Sequence, residues 1–291
     1  MKFGVQQIML GTVTKTESQA LDTLKKIKSF GYDGIELNGF MIRPSSMMVR
    51  LLTKAAGMPT GNGGKYNWKF LVKEAGLDVI SLHEDLGTIE RDIDSVIEEA
   101  KKFHTNKIVI TGMYRFDYSD EKEVATLCER LNSAGEKLQK EHLSLLYHNH
   151  NVEFQKLKGK TLSPENDFLD LTSYGMIVKE TDANFVNFEM DSYWIADAGI
   201  DPLWVMKHLG ERLKLYHVND RGNRKNGIAM TPIIGQDSLE LGTGNMNLNA
   251  LVRQAMDVNV DGIILESHRN FIDKDPIESI RVSGNYLNQW K

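Results

Sequence analysis

A repeating unit runs the length of this 291-residue chain and limits what it can fold into. Each unit is a short apolar run followed by a longer stretch in which apolar residues recur at spacings of three and four. The apolar runs read as strands at 3–8, 34–37, 78–82, 107–111, 143–148, 187–191, 213–218 and 262–267, each bounded by turn residues. Stretches such as "SQALDTLKKIKSF", "RDIDSVIEEAKKF" and "MNLNALVRQAMDV" have helical periodicity. The unit returns about every 30 to 45 residues with no shift in composition, which predicts an α/β chain of one domain over residues 1–291. Eight strands with helical connections predict a closed (β/α)₈ TIM barrel, a fold that commonly reaches this length.

Two segments exceed the minimal unit. Residues 41–68 contain a glycine-rich tip, and residues 222–247 form a long loop with five glycines. Loops of that length in compact domains are usually lids or binding loops.

At the carboxyl end of almost every predicted strand stands a group able to bind, ligate or move a proton. In chain order these are Gln6 and Gln7, Glu36 and Asn38, His83 and Glu84, and Tyr114 and Arg115. His148 and His150, Glu189 and Asp191, His217 and Asn219, and Glu266 and His268 complete the series. In a (β/α)₈ barrel that end carries the active site. Asp191, His217 and Glu266 supply two carboxylates and one imidazole from three successive strand ends, a set suited to a divalent metal. Carboxylate-rich sites lean to the harder ions, so Mn²⁺ leads Mg²⁺, Co²⁺ and Zn²⁺. The fourth ligand is expected from "YHNHNVEF", with Glu153 preferred and His148 the alternative.

Each assignment has a plainer competitor. Asp191 could cap the turn before "SYWIADAG", and Glu266 could pair with Arg269. His104, His142 and His208 fall in helical or turn contexts and read as ordinary structural histidines. Gly242 and Gly244 lack the spacing of a phosphate loop and read as a turn.

The charge balance narrows the partners. Net charge is −5, with no basic block, so nucleic acid is a poor fit, and no segment approaches membrane-spanning length. The start, "MKFGVQQIML", reads as a strand rather than a signal peptide, and the expected location is the cytoplasm. The lone Cys128 lies in a helical pattern and excludes an intrachain disulfide. A small sugar or polyol is the expected partner, and homo-oligomerisation is left open.

The segments "GYDGIEL", "VISLH", "YHNHNVEF", "MDSYW", "LYHVND", "LGTGNMNL" and "GIILES" together resemble the xylose-isomerase-like TIM-barrel superfamily. The likeness is to its sugar phosphate isomerase/epimerase group. "YHNHNVEF" is similar to the His-Asn-His motif of the keto-inositol dehydratase-like branch. The resemblance implies a divalent metal held by a carboxylate after the fifth strand, an Asp after the sixth, a His after the seventh and a Glu after the eighth. Asp191, His217 and Glu266 match the last three. The chain has His148 where epimerases of the superfamily usually carry a glutamate that exchanges the substrate proton. The dehydratases have a catalytic histidine at the place of His150.

These readings converge on metal-assisted enolisation of a sugar or keto-sugar. His148, His150 and Glu266 are the expected proton-transfer groups. His83, Glu36, Arg115, Trp194, Asn219 and His268 are the expected substrate-binding groups. The expected activity is isomerisation or epimerisation. The alternatives are dehydration or lyase chemistry by β-elimination with a histidine base, a metal-dependent phosphodiesterase, and a barrel that binds a polyol without turnover.

Overall fold

The computed structural model describes residues 1–44, 63–165, 167–225 and 227–291. Eight parallel strands close into a barrel. They are β1 (Lys2–Gln6), β2 (Gly34–Asn38), β3 (Asp78–Glu84), β4 (Lys107–Ile110), β5 (Ser144–His148), β6 (Val186–Asp191), β7 (Leu213–Val218) and β10 (Gly262–Leu265). Each lies beside its predecessor in the chain, and β10 closes on β1. A separate antiparallel pair, β8 (Asp220–Gly222) and β9 (Asp237–Leu239), lies in the connection from β7 to β10. The (β/α)₈ barrel expected from the repeat is therefore the fold observed. No helix among the described residues is long and apolar enough to cross a membrane.

The differences from expectation have local causes. The first strand stops at Gln6 because the Gln6 side chain accepts the Ile8 N–H at 2.6 Å and starts a 3₁₀ turn, Gln7–Leu10. The helical pattern at 91–103 covers the end of one helix, Leu86–Arg91, and the whole of another, Ile93–Phe103. Asp92 leaves helical backbone between them and caps the second by accepting the Ser95 N–H. Residues 222–247 are not wholly loop, since β8 and β9 tie their base together. Of the 41–68 segment, residues 45–62 lie outside the described residues.

Cα packing groups the chain into two compact units. One comprises residues 1–82, 217–253 and 261–291. There helix Glu17–Ser29 packs on helices Trp68–Ala75 and Pro276–Leu287, and the buried Tyr32 hydroxyl donates to the Ile280 carbonyl at 2.9 Å. The other comprises residues 83–216 and 254–260. In it helix Glu121–Gln139 covers β5 and packs on helix Ser173–Glu180. Its buried face includes Leu127, Leu131 and Cys128, whose thiol is pushed by burial up to about 12.

Register explains two glycines. Gly4 of β1 and Gly34 of β2 are direct partners, and the Ile80 side chain of β3 packs on both. A Cβ at Gly4 would meet the tip of Ile80 at 2.5 Å, whereas one at Gly34 would meet the backbone oxygen of Asp78 at 2.7 Å. A side-chain tip can move and a strand carbonyl cannot. Gly34→Ala is therefore expected to destabilise more than Gly4→Ala, within the roughly 1–3 kcal/mol typical of overpacking. Urea unfolding of both variants checks this, and equal losses would refute it.

Candidate active site

The barrel delivers buried imidazoles and carboxylates to its strand ends. His148 ends β5 and Glu189 lies beside it on β6 as its register partner, so both side chains leave the same face of the sheet. Glu189 Oε2 lies 3.1 Å from His148 Nδ1 and 3.0 Å from His83 Nε2. An ionised Glu189 would accept from both nitrogens, and the lone pair of a neutral His148 would then lie on Nε2.

A second set forms around His217, which is completely buried. Glu36 Oε2 lies 2.6 Å from its Nε2 and Glu266 Oε2 lies 3.0 Å from its Nδ1. Glu36 also accepts from the Ser81 hydroxyl. A neutral imidazole has one N–H, so it can donate to only one of these two carboxylates. A cation on the other side would satisfy both.

Asp191 ends β6 and caps helix Ser192–Asp197. Its Oδ1 accepts from the Tyr193 N–H at 2.7 Å and the Trp194 N–H at 3.3 Å. Asn149 holds it in place by accepting its N–H at 3.0 Å and donating to its carbonyl at 3.1 Å. One donor atom from each of His148, Asp191, His217 and Glu266 lies within 4.8 Å of the others, and all four residues are buried. His83, His148, Glu189 and His217 meet the same distance condition. Within that second set, the two contacts of Glu189 are already accounted for as hydrogen bonds.

The remaining expected residues divide. The His150 ring lies edge-on to His148, with centroids 5.1 Å apart, and 5.7 Å from the Trp194 ring. His268 is exposed, with Nε2 3.7 Å from Glu266 Oε1. Asn219 is buried and its side-chain oxygen accepts from the Ser238 hydroxyl at 2.8 Å. Arg115 is exposed and adopts left-handed backbone, φ 53°. The plainer reading of Asp191 as a cap coexists with its place in the cluster. Arg269 pairs with Asp237 at 2.8 Å. His104 and His142 take left-handed backbone after helix ends, and His208 lies in helix Pro202–Leu209 beside Trp204.

Glu153, preferred from the sequence as the fourth ligand, belongs to neither group, whereas His148, the alternative, belongs to both. A 3₁₀ turn, Val152–Phe154, directs the Glu153 carboxylate into the protein. There Oε1 accepts from the Tyr147 hydroxyl at 3.0 Å and Oε2 from the His150 N–H at 2.9 Å. Burial raises its pKa to about 7, against the opposing effect of these hydrogen bonds.

Comparison with known proteins agrees with this fold. The family model for xylose isomerase-like TIM barrels matches residues 24–282. The chain belongs to this family. Among curated proteins no sequence matches. Several solved structures share the xylose isomerase-like barrel. A sugar phosphate isomerase/epimerase from Parabacteroides distasonis aligns at TM-score 0.74 and 20% identity, covering 98% of this chain and 93% of that one. A 3-keto-D-glucoside 4-epimerase from E. coli aligns at TM-score 0.63 and 17% identity, covering 99% of each chain. The IolI protein with a bound zinc atom aligns at TM-score 0.64 and 13% identity, covering 99% of this chain and 97% of that one. At such identities the likeness is one of fold.

Two residues of this site were not assigned a role from the sequence. Glu189 was visible only as a polar strand end, although its parity with Asp191 was a signal. Asn149 stood between two histidines and drew no separate reading.

The Glu153 carboxyl ionises at a higher pH folded than unfolded, so its contribution to stability is greatest below the ordinary carboxylate range. That contribution falls as pH rises from about 4.5 to about 7. Glu153→Gln lacks this dependence. The stability of the variant relative to wild type should rise by up to about 3 kcal/mol between pH 4 and pH 8. Urea denaturation at both pH values measures it, and an unchanged gap would refute the assignment.

Proposed function

We propose that the protein is a divalent-metal-dependent isomerase or epimerase acting on a sugar or keto-sugar by proton transfer next to a carbonyl. The observation that carries this reading is the convergence of His148, Asp191, His217 and Glu266, all buried, with His217 set between two carboxylates. Those four residues would hold the ion. Two imidazoles with two carboxylates accept Mn²⁺, Co²⁺ and Zn²⁺ more readily than Mg²⁺, and manganese remains the first ion to load. Bound there, such an ion would polarise a carbonyl and its neighbouring hydroxyl.

The chain's own groups do the rest. His150 is the base that takes the proton from the carbon beside the carbonyl, leaving the bonding electrons on the carbonyl oxygen. Returning the proton to the other face gives an epimer. Returning it to the neighbouring carbon, with transfer between the two oxygens, gives the isomer. Glu266 is the second proton-transfer group, while Trp194 walls the sugar. His83, Arg115, Asn219 and His268 bind hydroxyls. Glu36 and Glu189 orient the imidazoles of His217 and His148, as carboxylates behind metal-bound histidines do. The likeness to the sugar phosphate isomerase/epimerase, to the keto-glucoside epimerase and to the zinc-bound IolI protein supports the reading by analogy of fold.

One observation favours a second outcome of the same first step. His148 stands at the end of the fifth strand where the superfamily's epimerases carry a proton-transferring glutamate, and His150 can pass the proton it takes on to a leaving group. β-Elimination from a keto-sugar, keto-inositol or 3-keto-glycoside would follow.

Elemental analysis of purified protein is expected to give about one ion per chain in wild type and none in Asp191→Asn. Glu36→Gln and Glu189→Gln should weaken metal affinity by roughly 10- to 100-fold. Loaded wild type should exchange solvent deuterium into candidate keto-sugars. Exchange with an epimer or isomer supports the main reading, and exchange with an unsaturated product supports elimination. A wild-type protein that takes up none of the four ions would overturn both.

A further inference from the structure

Glu153 has an uncommon setting for a carboxylate. It is fully buried, and among the described residues it forms no ion pair. Its two oxygens instead accept from two different stretches of chain: Tyr147 on β5 and the backbone N–H of His150 in the segment that follows. An amide of the same shape cannot do the same. Glutamine has one acceptor oxygen, and its amide nitrogen would confront one of the two donors.

The hydrogen-bond chain continues beyond Tyr147. Its hydroxyl lies 3.1 Å from the Tyr118 hydroxyl, which in turn accepts the Met113 N–H at 2.7 Å. The bonds can then run in one direction. The Met113 N–H donates to Tyr118, Tyr118 to Tyr147, and Tyr147 to Glu153. Reversal by an amide at position 153 would leave the Tyr118 proton without an acceptor in a buried site. Gly112 fits against the same group: a Cβ there would lie 2.6 Å from Glu153 Oε1 and 2.9 Å from the Tyr118 hydroxyl. The turn itself is fixed from behind, where the Ser173 hydroxyl donates to the Glu153 carbonyl at 2.7 Å.

We infer that Glu153 is a positioning residue that couples two segments of the site: 149–154, which carries His150, and 112–118, which carries Arg115. The carboxylate and the two tyrosines form a rigid tie, so loosening either segment loosens the other. The consequence for proton transfer rests on the reading of His150 given above, whereas the coupling does not.

The test is amide hydrogen–deuterium exchange with mass spectrometry on wild type, Glu153→Gln and Tyr118→Phe, with metal content measured alongside. Each substitution is expected to speed exchange about tenfold or more in both segments. Peptides from helix Glu121–Gln139 should stay protected and metal content should not change. Tyr118→Phe keeps Glu153 intact, so its effect on 149–154 isolates the tie. It should also shift the emission of Trp194, whose ring lies 5.7 Å from that of His150, read as a difference against a Trp194→Phe background. Exchange that rises only in the substituted segment, with Trp194 emission unmoved, would overturn the coupling. Loss of metal in Glu153→Gln would overturn it too, by returning Glu153 to the role of ligand. An inactive wild type with both segments coupled would refute the proposed reaction and leave this inference standing.

Discussion

Parallel register in a closed barrel is the constraint on which the site depends. Strands that all run one way end at one face, and residues paired across neighbouring strands leave the sheet on the same side. The pairing of His148 with Glu189 and of Gln6 with Glu36 follows from that alone. No loop has to fold in a particular way to bring an imidazole against a carboxylate. The backbone ladder does it, and the strands' buried apolar residues, among them Val5, Ile35, Leu146 and Ile264, keep water away from it.

The same constraint concentrates charge where water is scarce. Glu36, Glu189, Asp191 and Glu266 are each at most 4% exposed. Burying so many carboxylates is costly unless each meets a donor or a cation. The protein answers with shared partners. His217 stands between two carboxylates, only one of which its single N–H can serve without a cation, and Glu189 stands between two imidazoles. Asn149 and the helix N-terminus behind Asp191 fix backbone and side chain together, so the donor geometry is set before any ligand arrives. Asp220 meets uncharged donors instead. Burial raises its pKa, against four opposing backbone N–H groups, among them those of Gly242 and Gly244.

The barrel was legible in the sequence because period and spacing are properties of the chain itself. The strand ends were legible for the same reason, which is why Asp191, His217 and Glu266 could be picked out together. What could not be read was the path of the chain once it left the sheet. Glu153 and His148 are five positions apart, and only the 3₁₀ turn after Asn151 decides that the first faces Tyr147. Likewise, sequence could not distinguish Glu36 as a substrate group from Glu36 as the partner of His217, because 181 residues separate the two. Breaks in helices are equally local: Asp92 splits one helical pattern by a single extended residue.

The solitary Cys128 has a practical consequence. Its thiol is buried under helix Glu121–Gln139 and held protonated far above neutral pH. The wild-type chain is in effect silent toward alkylating dyes. A cysteine introduced at an exposed position such as Ile228 or Met230, in the β8–β9 connection, would be the sole group to label. Fluorescence from that position would report movement of the connection with no background to remove, and without disturbing the protein's own sulfur.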